Sequence, residues 1–404
     1  MAVPSRVRVS GPLEPFAAGF AAELTRHGYR PRPLILQMRL MADASRWLPE
    51  ERLDVSDWAI QAARFLRARR AAGSTRHLTA QALHPMLTYL HTIGVAPPAS
   101  APVATGPVDV MLARYQHYLT IERGLGEATA RGYLDIVRPF LRTRVSPDHD
   151  DLDVEHLNAA DGTAFMVSRC SGQSRRAAKV TVTPLRSFLR FLHVSGAITQ
   201  PLAAAVPSVA GWRLAGLPKG VAPAHVRRLL ASCDRRTTAG RRDFAILTTL
   251  ARLGLGAAEL AALRLDDIDW RVGEMVVHGK GSRAERLPIP ADVGPAIAAY
   301  LRDSRPVSAQ GRRVFVRLMA PHRALSPTGV TNVVAAAARR AGLEPIYAHR
   351  LRHFAATQML RAGASLSEIK QLLRHARAQT TAIYAKVDRE ALRTIARPWP
   401  GGVA

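Results

Sequence analysis

Apolar residues recur at helical spacing over much of the chain. Phe16, Phe20 and Leu24 form one stripe, and Trp58, Ala62, Phe65 and Leu66 a second. Further along, Met111, Leu112, Tyr115, Tyr118 and Leu119 are followed by Tyr133, Ile136, Val137 and Phe140, then by Leu185, Phe188, Leu189, Phe191 and Leu192. Stripes of this width are the buried faces of amphipathic helices, so both stretches read as small helical bundles. Two proline-rich seams interrupt them. Ala96-Pro97-Pro98-Ala99-Ser100-Ala101-Pro102 cannot continue a helix, and Pro207 to Pro223 holds Gly211, Gly216, Pro218 and Gly220. The seams divide the chain into a helical N-terminal domain (1–105), a second helical domain (106–210) and a C-terminal domain (211–404).

The period changes inside the third segment. Arg241 to Leu253 reads as a buried helix, Gly254-Leu255-Gly256 as a turn, and Ala257 to Leu263 as a second helix. Glu274 to Val277 and Glu285 to Pro288 then alternate like strands around Gly279-Lys280-Gly281-Ser282, which suits a β-hairpin with a glycine-bearing loop. Helix resumes at Ser326-Pro327, a cap and first-turn pair, and runs through Ala341. Ser365 and Glu368 have capping-box spacing at the start of another helix. The expected fold is therefore mainly α, with a small β-sheet or hairpin confined to an α+β C-terminal domain.

Charge narrows the range of partners. The formal net charge is +26, and residues 213–404 carry 32 basic against 14 acidic side chains. A GC-rich genome accounts for 52 arginines against five lysines, but not for the scarcity of acids. A polyanion is the simplest partner for such a surface, although charge alone does not separate DNA from RNA. The two cysteines, Cys170 and Cys233, form neither a disulfide framework nor a metal-ligand spacing. There is no run of apolar residues long enough to span a bilayer, and Met1 to Ser10 lacks the apolar stretch of a secretory signal. The expectation is a soluble, cytoplasmic, nucleoid-associated protein.

Candidate chemistry concentrates late in the chain. No Walker loop, dinucleotide fingerprint or HExxH metal site is present. His349 and Arg352 stand three apart, so a helix would turn both to one side. His375 and Tyr384 follow, nine residues apart. Arginine clamps phosphate oxygens in a bidentate fork, histidine holds or moves a proton near neutral pH, and a tyrosine phenolate can form a covalent ester. Singly, such residues are more often structural than catalytic. In this order they form a set suited to phosphodiester chemistry.

These residues give the C-terminal part a resemblance to the catalytic domain of the tyrosine recombinase, or phage integrase, family. That family has a Gly-Leu-Arg turn before an acidic helix, a hairpin lysine, a His-x-x-Arg, a second His or Trp, and a Tyr. Here Ala251 to Asp269 resembles the first box and Gly279-Lys280-Gly281 the hairpin. His349-Arg350-Leu351-Arg352-His353 resembles the third box, Leu373-Arg374-His375 the fourth and Tyr384-Ala385-Lys386-Val387 the nucleophile segment. The match spans roughly residues 220–390. Residues 108–195, through Glu122-Arg123-Gly124-Leu125, Thr129 and Tyr133, resemble the family's SAM-like core-binding domain less strongly.

The resemblance implies a metal-free and cofactor-free reaction on duplex DNA. Tyr384 would attack the scissile phosphate to leave a 3′-phosphotyrosyl link, and Lys280 would protonate the departing 5′-oxygen. Arg352 would stabilise the pentavalent phosphorane, while His349 and His375 would assist proton transfer and hold the phosphate. Arg283, Arg350, Lys179, Arg175 and Arg176 are the candidate DNA-contacting cations. Partners would be other protomers, of this chain or of a second recombinase, assembled on DNA. Residues 388–395 read as a short helix that would dock into a neighbouring protomer.

One position departs from the pattern. Gly256 stands where the family has its first arginine, and loss of such a clamp typically costs about 10³–10⁵ in rate. Three explanations are open: an accessory DNA-binding subunit that cleaves poorly, a substitute arginine such as Arg252, or an inactivating variant. The leading expectation is an integrase or transposase-like recombinase of a mobile element, with its own cleavage in question. A non-catalytic accessory subunit and a type IB topoisomerase-like enzyme are the alternatives.

Overall fold

A computed structural model describes residues 7–97, 106–146, 151–173, 175–209, 221–279, 284–374 and 381, with the side chains of 175 and 176 outside that description. The chain divides into two compact units. One joins Met1–Ala99 to Gly216–Ala404, and the other is Ser100–Ala215.

In the first unit the N-terminal stretch forms helices α1 (Glu14–Arg26), α2 (Pro31–Glu50), α3 (Trp58–Ala71) and α4 (Ala80–Thr92). Phe20, Leu24, Trp58, Phe65 and Leu66, members of the expected stripes, are buried together with Trp47. Trp58 and Phe65 pack edge to face at 5.0 Å, a favoured arrangement of ring quadrupoles. Phe16 and Ala62 lie at the margin of the same core.

Helices α5 (Pro107–His117), α6 (Glu127–Arg142), α7 (Ala159–Cys170) and α8 (Arg175–Val194) make the other unit. Its core is aromatic: Tyr115, Phe140 and Phe188 are fully buried, and Tyr115 meets Phe188 edge to face at 5.1 Å. α8 runs through Pro184, whose carbonyl accepts a hydrogen bond from the Tyr115 hydroxyl at 3.3 Å.

The remainder of the first unit is the mixed region. After α9 (Pro223–Ala231), α10 (Thr238–Leu253) is buried along most of its length, Ala245 through Ala251 without exception. Thr237 caps it, its side chain accepting from the Gly240 N–H at 3.0 Å, so the helix begins three residues before Arg241. The short α11 (Ala257–Ala262) follows. The expected hairpin forms between β2 (Glu274–His278) and β3 (Ala284–Pro288), antiparallel, with Met275 opposite Leu287 and His278 opposite Ala284. A two-residue strand, β1 (Ile268–Asp269), adds to the other edge of β2 and makes a three-stranded sheet. Met275, Val277, Leu287 and Ile268 put the sheet's apolar face into the same core as α10, with β2 against α11.

Helices α12 (Val293–Asp303), α13 (Pro327–Arg340), α14 (Ala348–Arg361) and α15 (Leu366–Leu372) complete the described part. Ser326 caps α13, accepting from the Gly329 N–H at 3.0 Å. The Ser365 box is formed in both directions: the Glu368 N–H donates to Ser365 Oγ at 3.2 Å, and the Ser365 N–H to Glu368 Oε2 at 2.7 Å. α12 and α14 both pack on α10, which brings the turn after α10 beside the first half of α14. No helix among the described residues is long and apolar enough to cross a membrane.

Candidate active site

α10 ends at Gly254, which has a left-handed backbone (φ +58°), and its N–H donates to the Leu250 carbonyl at 3.1 Å. A Cβ there would lie 2.9 Å from Leu373 Cδ2 and 3.3 Å from Ala355 Cβ. Both the conformation and the space demand glycine at this position. Gly256, two residues on, is different. Its φ of −73° suits any residue, and a Cβ would approach only two side-chain ends, Glu259 Oε2 at 3.3 Å and Arg352 Nη1 at 3.6 Å. The backbone therefore does not require glycine at 256; its effect is the loss of a side chain beside Arg352.

Glu259, in the first turn of α11, organises what surrounds that position. Its Oε2 accepts from the Gly256 N–H at 2.6 Å, from Arg352 Nη1 at 2.9 Å and from Arg374 Nη2 at 2.9 Å. Oε1 accepts from Arg374 Nε at 3.1 Å. Burial pushes the Glu259 carboxyl up, but the Arg374 hydrogen bond, the Gly256 N–H and the charges of Arg352 and Arg374 outweigh it and hold the group below the usual glutamate range.

Arg352, on α14, is pinned from three directions. Beyond Glu259, its Nη1 donates to the Gly254 carbonyl at 3.1 Å and its Nη2 to the Leu373 carbonyl. The guanidinium is thus set against the end of α10, the start of α11 and the segment after α15, with 18% of the side chain exposed. A phosphate arriving there would meet a fork already oriented.

His349 lies one turn earlier on α14 and is exposed. It stacks on Tyr347 at 6.3 Å and meets His353 edge-on at 6.2 Å. Burial, with the nearby His349 and Arg352, pushes the His353 imidazole below its ordinary value and favours its neutral form.

Of the candidate catalytic residues, the fold brings Arg352 and the Gly256 position together and sets His349 on the same helix. Lys280, His375 and Tyr384 lie outside the described residues, as do Arg283 and the tail 388–395. The hairpin that brackets Lys280 is described up to the His278–Ala284 pair. Among the candidate DNA-contacting residues, Arg350 donates to the Pro345 carbonyl at 3.3 Å, and Lys179 is exposed on α8 beside Thr129, Tyr133 and Thr183. Arg175 and Arg176 begin α8. Arg252, the possible substitute, points instead to α12, where its Nε donates to Asp292 Oδ2 at 2.6 Å. Among the described residues no cluster of three or more His, Cys, Asp or Glu side chains is placed to hold a metal ion.

Two members of the cluster were not assigned from the sequence. Glu259 was legible only as an acidic residue of the first box, and Arg374 only as the neighbour of His375. Their pairing spans 115 positions and has no local signature. Arg374 is 2% exposed and has φ +52°, a left-handed conformation that costs a non-glycine residue roughly 1–2 kcal/mol. Three side-chain hydrogen bonds hold it there, two to Glu259 and one to the Leu372 carbonyl at 2.7 Å.

The chain is similar in sequence and in fold to known proteins. Residues 220–391 match the phage integrase family and residues 112–196 the phage integrase N-terminal SAM-like domain. The chain is 40% identical over 396 residues to y4rA of Sinorhizobium fredii, whose name assigns it to the integrases and recombinases, with 97% of this chain and 95% of that protein covered. It is 30% identical to the tyrosine recombinase XerD of Listeria monocytogenes, across 70% of this chain and 96% of XerD. Its fold is similar to that of the XerH site-specific recombinase bound to palindromic difH substrate (TM-score 0.55, 16% identity, 84% of this chain and 95% of that one). It is also similar to a lambda integrase dimer bound to a COC' core site (TM-score 0.54, 17% identity, 73% and 79% covered). The chain belongs to the phage integrase family of tyrosine recombinases.

Proposed function

We propose that this chain is a site-specific recombinase of a mobile element that breaks and rejoins duplex DNA through a 3′-phosphotyrosyl intermediate. Residues 106–210 serve as the core-binding domain, 211–404 as the catalytic domain and 1–105 as a helical N-terminal addition. Tyr384 Oη attacks the scissile phosphorus while the bond to the 5′-oxygen breaks. The phenolic proton passes to a histidine, His349 or His375, and Lys280 supplies a proton to the departing 5′-hydroxyl. Arg352 stabilises the charge that builds on the phosphoryl oxygens. Because the ester retains the bond energy, attack by a different strand's 5′-hydroxyl completes the exchange without ATP.

The observation that carries this reading is the Arg352 guanidinium, held by three neighbouring segments beside position 256 and one turn from His349. Near full-length similarity to an integrase/recombinase and the surplus of basic over acidic side chains support it. Partners are duplex DNA and further recombinase protomers. Gly256 favours a second reading, in which the chain binds DNA as an accessory subunit and leaves cleavage to another protomer.

One experiment separates the two. Duplexes selected by the full chain from a randomised pool are nicked near the bound site, so that strand loss traps the covalent complex. The proposal expects a denaturant-stable protein–DNA adduct with the wild type and none with Tyr384→Phe, which still binds. Binding without adduct from either protein would favour the accessory reading, and failure to select any duplex would overturn both.

A further inference from the structure

The family's first arginine is absent at position 256, yet a second guanidinium occupies the same cluster. Arg374 Nη2 and Arg352 Nη1 each lie 2.9 Å from one oxygen of Glu259. That oxygen is also the nearest atom to a Cβ built on Gly256, at 3.3 Å. An arginine at 256 would therefore begin its side chain against the carboxylate that Arg374 already neutralises. Arg374 reaches this place from the other side, out of the segment after α15, and holds a left-handed backbone that glycine adopts without strain. Its side chain is nearly inaccessible to solvent, so it does not serve as a surface cation.

The charge count gives the arrangement a consequence. Glu259 is ionised and contacts Arg352 and Arg374 equally closely, at 2.9 Å. Alone, the pair of Glu259 and Arg352 would be electrically neutral and Arg352 would meet a phosphate with its charge cancelled. With Arg374 added, two guanidinium groups face the one carboxylate that binds both among the described residues, a surplus of positive charge beside position 256. In a part-buried site that surplus is little screened by water.

Building on the tyrosine recombinase reading above, we propose that Arg374 is a positioning residue that replaces the missing charge of position 256, neutralising Glu259 so that Arg352 remains available to the scissile phosphate. The family's arginine is in effect relocated by more than a hundred residues in sequence while its charge stays in the same cluster. Gly256 then does not mark an inactive chain. It is the small residue that leaves Arg374 room on Glu259.

The relocation is tested by moving the arginine back. Wild type, Arg374→Gly, Arg374→Lys, Gly256→Arg and the double variant Gly256→Arg with Arg374→Gly are compared as full chains on the selected nicked duplex. Adduct formation is timed at saturating DNA, and duplex affinity and thermal melting are measured alongside. Glycine suits φ +52°, so Arg374→Gly removes the charge without adding backbone strain. The expected results are a fall of about 10²–10³ in cleavage rate for Arg374→Gly with duplex affinity within a few-fold, and partial recovery in Arg374→Lys. The double variant should exceed Arg374→Gly by about tenfold or more, since removal of a phosphoryl-clamping arginine typically costs more than that. Gly256→Arg alone should bring no gain, because three guanidinium groups would then crowd one carboxylate. Undiminished cleavage by Arg374→Gly, or a double variant no faster than it, would overturn the relocation and leave the Tyr384 reading intact. An inactive wild type beside an active Gly256→Arg would overturn it too, showing 256 to be the seat of the defect. Absence of adduct in all five proteins would instead sink the tyrosine reading, and the relocation with it.

Discussion

Glu259→Gln puts the organising role of this cluster to a quantitative test. The carboxylate ties together the start of α11, α14 and the segment after α15 through four hydrogen bonds of 2.6 to 3.1 Å. Glutamine keeps the size and one acceptor oxygen, so the Gly256 N–H can still be satisfied. What goes is the charge opposite two guanidinium groups. Arg352, 18% exposed, can recover part of its loss from water, but Arg374 at 2% cannot. Removing one partner of a buried pair costs about 3–5 kcal/mol, and the upper part of that range applies to Arg374 rather than Arg352. An effect of about 4–5 kcal/mol corresponds to a fall in melting temperature on the order of 10 °C for a unit of this size.

Hydrogen exchange read by mass spectrometry on the full chain, in peptides covering 254–263 and 348–374, isolates the local effect from the helical unit. The pH dependence adds a sign. Glu259 is held below its ordinary value, so its contribution is complete above about pH 4.5 and is lost as pH falls through the lower folded value. The gap between wild type and Glu259→Gln should therefore be full at pH 7 and close below about pH 4.5. Protection within about 0.5 kcal/mol of wild type at pH 7, or a gap unchanged through the acid range, would refute the reasoning.

Other changes are expected to behave as follows. Arg252→Ala should leave adduct formation unchanged and cost less than about 1 kcal/mol of stability, because Arg252 is an exposed partner of Asp292; a large loss of cleavage would restore it as a substitute arginine. Gly254→Ala should destabilise the region around α10 by about 2 kcal/mol or more, from the left-handed backbone together with the contact on Leu373, with thermal unfolding as the measurement. Duplex affinity should fall steeply and linearly with salt on logarithmic axes as phosphate contacts release counterions; a flat response would argue against a DNA role.

The sequence disclosed most where the physics is local. Ser326 and Ser365 announced their caps because a hydroxyl three residues from a free N–H is a short-range signal. The strands around Lys280 were legible from alternation, and the buried stripes of Phe20, Trp58, Tyr115 and Phe188 from helical period. Less legible was β1, two residues whose strand character comes only from pairing with β2. Pro184 lies inside α8, where tertiary packing overrides its local preference. In the candidate site, the ordered motifs pointed to Arg352 and His349, and the Gly256 departure stood out against them. The compensating Arg374 did not, because its link to Glu259 exists only once α11 and the end of α15 are folded together.

On the proposed function, Tyr384 joins covalently to DNA. Tryptic digestion of the trapped adduct releases the peptide between Arg377 and Lys386, which contains Tyr384 as its sole tyrosine. Mass spectrometry after nuclease trimming is predicted to find a nucleotide on that residue, linked through its 3′-phosphate. A nucleotide on any other side chain, or a 5′-phosphate linkage, would contradict the account.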